Sequence, residues 1–128
     1  MTKKVAIRTP NAPQPPANFS HAIVANGLVF CAGVSGRDPV TGEVVSPDIN
    51  EQIDQAMKNL SAILVASGSD MSKVVQTTCY IADVDHFNAL TPAYAKYFPI
   101  DPPARATLVI SDFGRKGLKC EIVAIATL

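Results

Sequence analysis

The sequence has no surplus of either charge: 11 lysines and arginines balance 11 aspartates and glutamates. Binding to a nucleic acid backbone or an anionic membrane through the overall field needs a basic excess, so neither partner is expected. Histidine is scarce, and neither His21 nor His86 stands at metal-ligand spacing from a cysteine or carboxylate. At motif level this excludes a zinc-type centre and a histidine pair for RNA cleavage, and no metal or cofactor is expected. Cysteine is limited to Cys31, Cys79 and Cys120, odd in number, far apart and set in apolar stretches. That pattern argues against a disulfide framework and for reduced thiols in a cytosolic core. No segment reaches the ~20 apolar residues of a membrane span. "MTKK" opens with charge, but no apolar stretch follows it as in a signal peptide, so a cytoplasmic protein is expected. Walker loops, G-x-G-x-x-G and G-x-S-x-G are all missing, and with them the usual phosphate cradles and nucleophile elbows.

What is present is a continuous series of strand and helix signals without linker, repeat or low-complexity segment, so residues 1–128 read as one domain. At this length folding buries roughly two thirds of the unfolded chain's surface, enough for a core without staples. Pro10, Pro13, Pro15 and Pro16 read as an extended arm. In "HAIVANGLVFCAG", Asn26-Gly27 lies between two apolar runs and predicts a hairpin, because a type I′ turn requires positive φ at both positions. "DPVTGEV" is a polar turn. Asp48 and Glu51 form a capping-box-like start for a helix carrying Ile53, Ala56, Met57, Leu60, Ile63 and Leu64, closed by Gly68. "KVVQTTCYIAD" is β-branched and reads as a strand. A second helix is expected from Thr91 as N-cap with Pro92 at the first helical position, or alternatively from Asp85. Its apolar stripe is Leu90, Tyr94, Tyr97 and Phe98. "RATLVIS" and "LKCEIVAIATL" are the last strands, joined by the turn "DFGRKG".

With "KKVAIR" as the first strand the order is β-β-β-α-β-α-β-β. It predicts an α+β domain with a mixed six-stranded sheet, helices as crossovers on one face and hairpins at both ends. The strand Val74–Ile81 has apolar or neutral residues on both faces, while two helices cover only one. A homo-oligomer burying the second face is the expected solution.

Two charges stand out in apolar strands: Arg105, behind two prolines in "DPPARATLVI", and Glu121, inside "KCEIVAIA". An ion pair between neighbouring strands, or two solvated side chains at a sheet end, is the simplest account, and spacing alone does not decide.

The order "NAPQPP…F…ANGLVFCAG…DPVTGEV", then "NL…ILVASGSDMSKVVQTTCYIADVDHFNAL…AYAKYF", then "PPARATLVI" and "LKCEIVAIA" resembles the RidA/YjgF family of enamine and imine deaminases over nearly the whole chain. The resemblance implies a chorismate-mutase-like fold, a homotrimer with a central barrel of sheets, and ligand clefts between subunits. It implies that Arg105 grips the carboxylate of a 2-imino acid through a planar bidentate fork, and that Glu121 holds the water that attacks the C=N carbon. Substrate contacts would further involve Phe19, Ala32, Gly33, Thr91 and Thr107. Four of these depart from the deaminase pattern, where tyrosine, serine, asparagine and cysteine match Phe19, Ala32, Thr91 and Thr107. Roles carried by the Gly33 N–H and the Thr107 carbonyl survive any side-chain change, whereas Phe19 and Ala32 lose hydroxyls. Three function classes follow: an imine deaminase, general or specialised to one catabolic pathway; a non-catalytic sensor of small carboxylates such as keto acids; and the ribonuclease activity ascribed to the family, against which the charge balance argues.

Overall fold

In the computed structural model, which describes residues 3–128, Asn26 and Gly27 adopt φ values of 52° and 76°. This is the left-handed pair a type I′ turn requires. They join β2 (Ala22–Ala25) to β3 (Leu28–Cys31), and β1 (Val5–Ile7) pairs antiparallel with β2. The remaining strands are β4 (Val34–Ser35), β5 (Val74–Ile81), β6 (Ala104–Val109) and β7 (Cys120–Thr127). Together they form a seven-stranded mixed sheet in the order β1-β2-β3-β7-β5-β6, with β4 beside β7 off this path. The seventh strand, beyond the six expected, is the two-residue β4.

One expected connection is different. β6 and β7 follow each other in sequence but are not paired, because β5 lies between them. The crossover through the second helix lays β6 parallel to β5 at the sheet edge, and β7 returns antiparallel into the centre between β3 and β5. An ion pair between neighbouring strands is thereby ruled out for Arg105 and Glu121.

Helix α1 (Ile49–Ala66) starts at Asp48, whose side chain accepts the Asn50 N–H, and ends before Gly68 at φ 86°. Its buried face carries the expected apolar residues together with Gln52 and Asn59. Those two amides act as ties. Asn59 donates to the carbonyls of Ser35 and Arg37 at 2.9 Å. Gln52 donates to the Ser46 and Gly117 carbonyls and accepts the Lys119 N–H at 2.8 Å. Buried and fully used, they hold β4 and the entrance to β7 against the helix.

Helix α2 (Phe87–Tyr97) continues from a 3-10 turn (Val84–His86) capped by the Asp83 side chain, so Pro92 lies inside the helix and Thr91 is not its N-cap. The rule that places proline at the first helical position fails here for a physical reason. The N–H that Pro92 lacks would have met the carbonyl of Asn88, and both residues are exposed, so water can serve the orphaned acceptor. Asp54 of α1 ties the helices together, accepting from the Tyr97 hydroxyl and pairing with Lys96 and Lys58. The Tyr97 bond leads the effects that pull its carboxyl down to about 2.

Both helices pack on the sheet face that presents Cys120, Ile122, Ala124 and Ala126, all buried in the core. The three cysteines lie in this core as free thiols. Burial pushes Cys31 and Cys120 up to about 12, which keeps them protonated and unreactive. The opposite face, with Phe30, Val123, Ile125 and Leu108, is left uncovered by the single chain, and Phe30 and Leu108 are 42% and 45% exposed. No helix among the described residues is long and apolar enough to cross a membrane.

Candidate functional site

Side chains alternate across a strand, and paired residues share a face. Arg105 pairs with Thr77, and Thr77 with Ala124, so Arg105 lies on the helix-covered face. Glu121 pairs with Tyr80 on one side and Ser35 on the other, which places it on the open face. The two predicted catalytic residues therefore stand on opposite faces of one sheet.

Around Arg105 the chain forms an open cleft of about 500 Å³, lined by Thr91, Tyr94, Phe98, Pro99, Pro102 and Pro103. The guanidinium carbon sits 4.8 Å from the centroid of the Tyr94 ring, a cation–π placement. Thr91, predicted as a substrate contact, is brought to this cleft, and its hydroxyl is not consumed by a helix cap. Thr107 follows on the same strand and face, opposite Cys79. None of the ion pairs among the described residues involves Arg105 or Glu121.

Around Glu121 the contact is with Gly33. A Cβ built on Gly33 would stand 2.6 Å from the Glu121 carboxyl carbon and 2.8 Å from one carboxyl oxygen. The carboxylate lies across the bare Cα, so any side chain here must displace it. Glu121 is half-buried, and burial holds its carboxyl above the usual range, making it a better proton acceptor once ionised. We expect Gly33→Ala to leave thermal stability nearly unchanged, since the obstacle is the end of a side chain. The displaced carboxylate should lower turnover, a misplacement of about 1 Å being able to cost about 10²-fold. Unchanged kcat in this variant would show that Gly33 does not place Glu121.

Ala32 adjoins Gly33, and its N–H donates to the His21 carbonyl at 2.9 Å. Both line a small cavity of about 40 Å³ with His21, Arg37 and Asn59. His21 is buried, accepting the Thr9 N–H at Nδ1 and donating from Nε2 to the Pro13 carbonyl. Phe19 is 49% exposed on the proline-rich arm, where Arg8 gathers the carbonyls of Pro15, Pro16 and Phe19. The predicted residues thus separate into an Arg105–Thr91–Thr107 group and a Glu121–Gly33–Ala32 group, with Phe19 apart from both. Sequence reasoning missed Tyr80 and Ser35, which flank Glu121, and saw Tyr94 only as part of an apolar stripe. The one available signal was a polar ring and a hydroxyl at positions the periodicity marks as buried or paired.

A family model described as endoribonuclease L-PSP matches residues 9–128. The chain is 44% identical over 126 residues to the chloroplastic Reactive Intermediate Deaminase A of Arabidopsis thaliana, covering 98% of this chain and 67% of that protein. It is 37% identical over 120 residues to human 2-iminobutanoate/2-iminopropanoate deaminase, covering 94% and 87%. Among solved structures, a Yersinia pestis protein of the conserved Rid family superposes with a TM-score of 0.94 at 35% identity over 98% of this chain and 100% of that one. Escherichia coli TdcF with bound serine superposes at 0.89 and 26%, over 97% and 98%. A match over nearly all of the described chain, in sequence and in fold, makes this protein a member of the RidA/YjgF family, whose family model carries the name endoribonuclease L-PSP.

Proposed function

We propose that the protein hydrolyses 2-imino acids, together with their enamine tautomers, to 2-keto acids and ammonium at clefts between the subunits of a homotrimer. The observation that carries this reading is the opposition of Arg105 and Glu121 across one sheet. A ligand touched by both must lie between two copies, and the uncovered apolar face supplies the surface through which copies join. The names of relatives that act on 2-imino acids support the same reaction class.

In this reading Arg105 of one subunit holds the substrate carboxylate through two parallel N–H bonds. Glu121 of the next subunit takes a proton from the water it holds as the water oxygen bonds to the imine carbon, and the imine nitrogen takes up a proton from solvent. The resulting tetrahedral 2-hydroxy-2-amino acid collapses when Glu121 returns its proton to the amine. The C–N bond breaks as the C=O bond forms, the hydroxyl proton passes through Glu121 to the departing ammonia, and ammonium leaves. A general base placed in this way contributes on the order of 10²- to 10⁴-fold. Phe19, Ala32, Gly33, Thr91 and Thr107 are assigned to substrate contact on the family's pattern. The aromatic and proline walls of the Arg105 cleft favour substrates with apolar side chains. The ribonuclease of the family name is a weaker reading, because acidic and basic residues balance and one of only two histidines, His21, has both ring nitrogens engaged, which leaves no histidine pair.

The test is ammonium release from 2-imino acids generated in situ by an amino acid oxidase from leucine and from serine. The protein should accelerate release above the spontaneous rate, more for leucine. Saturable binding of 2-keto acids with no acceleration would make it a carboxylate sensor instead.

A further inference from the structure

Thr77 is 1% exposed in the middle of β5, a polar side chain in an otherwise apolar core, and it is the strand neighbour of Arg105. Its hydroxyl lies 2.7 Å from the Tyr94 hydroxyl. Tyr94 in turn donates to the carbonyl of Pro103 at 3.4 Å, while Cys79 offers its thiol hydrogen to Thr77 at 3.9 Å. The Thr77–Tyr94 bond can run either way; when Tyr94 donates to the Pro103 carbonyl, which only accepts, Thr77 donates to Tyr94 and accepts from Cys79. Burial pushes the Tyr94 hydroxyl up, which keeps its proton available for Pro103.

We propose that Thr77 and Tyr94 are positioning residues for Arg105, acting on it from both ends. The inference rests on the reading of Arg105 as the carboxylate clamp. At the head, the Tyr94 ring supports the guanidinium from beneath at 4.8 Å. At the stem, the Tyr94 hydroxyl holds the backbone at Pro103, two residues before Arg105, where the fixed φ of Pro102 and Pro103 already stiffens the chain. Thr77 locks the tilt of the ring by holding its oxygen. Without that lock a long, rotamer-rich arginine loses its fixed platform, and binding a carboxylate must then order the side chain.

The test is the affinity for 2-oxobutanoate by calorimetry, with steady-state kinetics on an imine generated in situ. Thr77→Val keeps shape and removes the hydroxyl. It should raise Kd and KM about fivefold while kcat stays within about twofold, the loss of one neutral hydrogen bond acting on binding alone. Thr77→Ser should restore both. Tyr94→Phe keeps the ring but removes the bond to Pro103 as well, so it should weaken binding at least as much as Thr77→Val, and the double variant should bind no more weakly than Tyr94→Phe alone because the Thr77 bond is already gone. If Thr77→Val does not fold, Tyr94→Phe carries the same expectation. Wild-type affinity in the folded variants, beside abolished binding in Arg105→Ala, would overturn the positioning role and leave the clamp standing. Failure of Thr77→Ser to rescue would overturn it equally. Undiminished binding in Arg105→Ala would remove the clamp itself, and the positioning role with it.

Discussion

Arg105→Lys is expected to lose turnover nearly as completely as Arg105→Ala. The charge is retained, but an ammonium is a point charge that cannot form two parallel bonds to a carboxylate. The lysine also loses the planar face that lies over the Tyr94 ring. Removing one partner of a desolvated, hydrogen-bonded charge pair costs about 2 kcal/mol or more, roughly 30-fold in kcat/KM. Both substitutions fall on an exposed side chain at a sheet edge, so thermal stability should hardly change. Comparing kcat/KM of the two variants checks this, and a lysine variant with wild-type turnover would contradict bidentate recognition.

Glu121→Gln is expected to separate binding from chemistry. The amide keeps the shape that fits over Gly33, so affinity for a keto acid should persist. The lost proton acceptor should lower kcat by about 10²- to 10⁴-fold. The direction of the pKa shift adds two consequences. Burial raises the Glu121 carboxyl, so the acid limb of kcat/KM should lie above the ordinary glutamate value of about 4.3. The same raised value means that the unfolded chain ionises more readily than the folded one. Ionised Glu121 therefore costs stability as pH rises through its folded pKa, and that cost vanishes below the unfolded value. Glu121→Gln should raise Tm at neutral pH and leave it unchanged below about pH 4.3. Equal loss of binding and hydrolysis would show that Glu121 is structural.

Local chemistry explains which parts of the fold were legible in the sequence. Asn26-Gly27 and the Asp48 to Gly68 helix are set by residues whose backbone preferences act within a few positions, and both stand where the pattern put them. The start of α2 was obscured because Thr91-Pro92 imitates a helix start, while the true one depends on the Asp83-capped turn. β4 is too short for any periodicity, and is placed by its pairing with β7 and by the bond from Asn59 of α1 to the Ser35 carbonyl. The place of β7 between β3 and β5 is a pairing made at long range, and no signal within a strand encodes it. The site shows the same division. Arg105 and Glu121 were visible as charges in apolar strands, but their opposite faces follow only from the ladder that links Thr77 to Ala124 and Tyr80 to Glu121. Tyr94 and Thr77 gave no sign of their contact, because a helix residue and a strand residue meet there through the crossover.

The central claim is that one chain contributes Arg105 and another contributes Glu121 to each site. Its most direct test is to co-assemble Arg105→Ala chains with Glu121→Gln chains, each expected to keep only a few per cent of wild-type activity or less, by refolding them together in equal amounts. A site shared between neighbours is complete wherever the Glu121→Gln chain supplies the arginine and the Arg105→Ala chain supplies the glutamate. Random assembly into closed trimers makes about a quarter of all junctions complete, so activity should return to about a quarter of wild type. Mixed trimers, verified by distinct mass tags on the two chains, that remain as inactive as their parents would contradict the shared site.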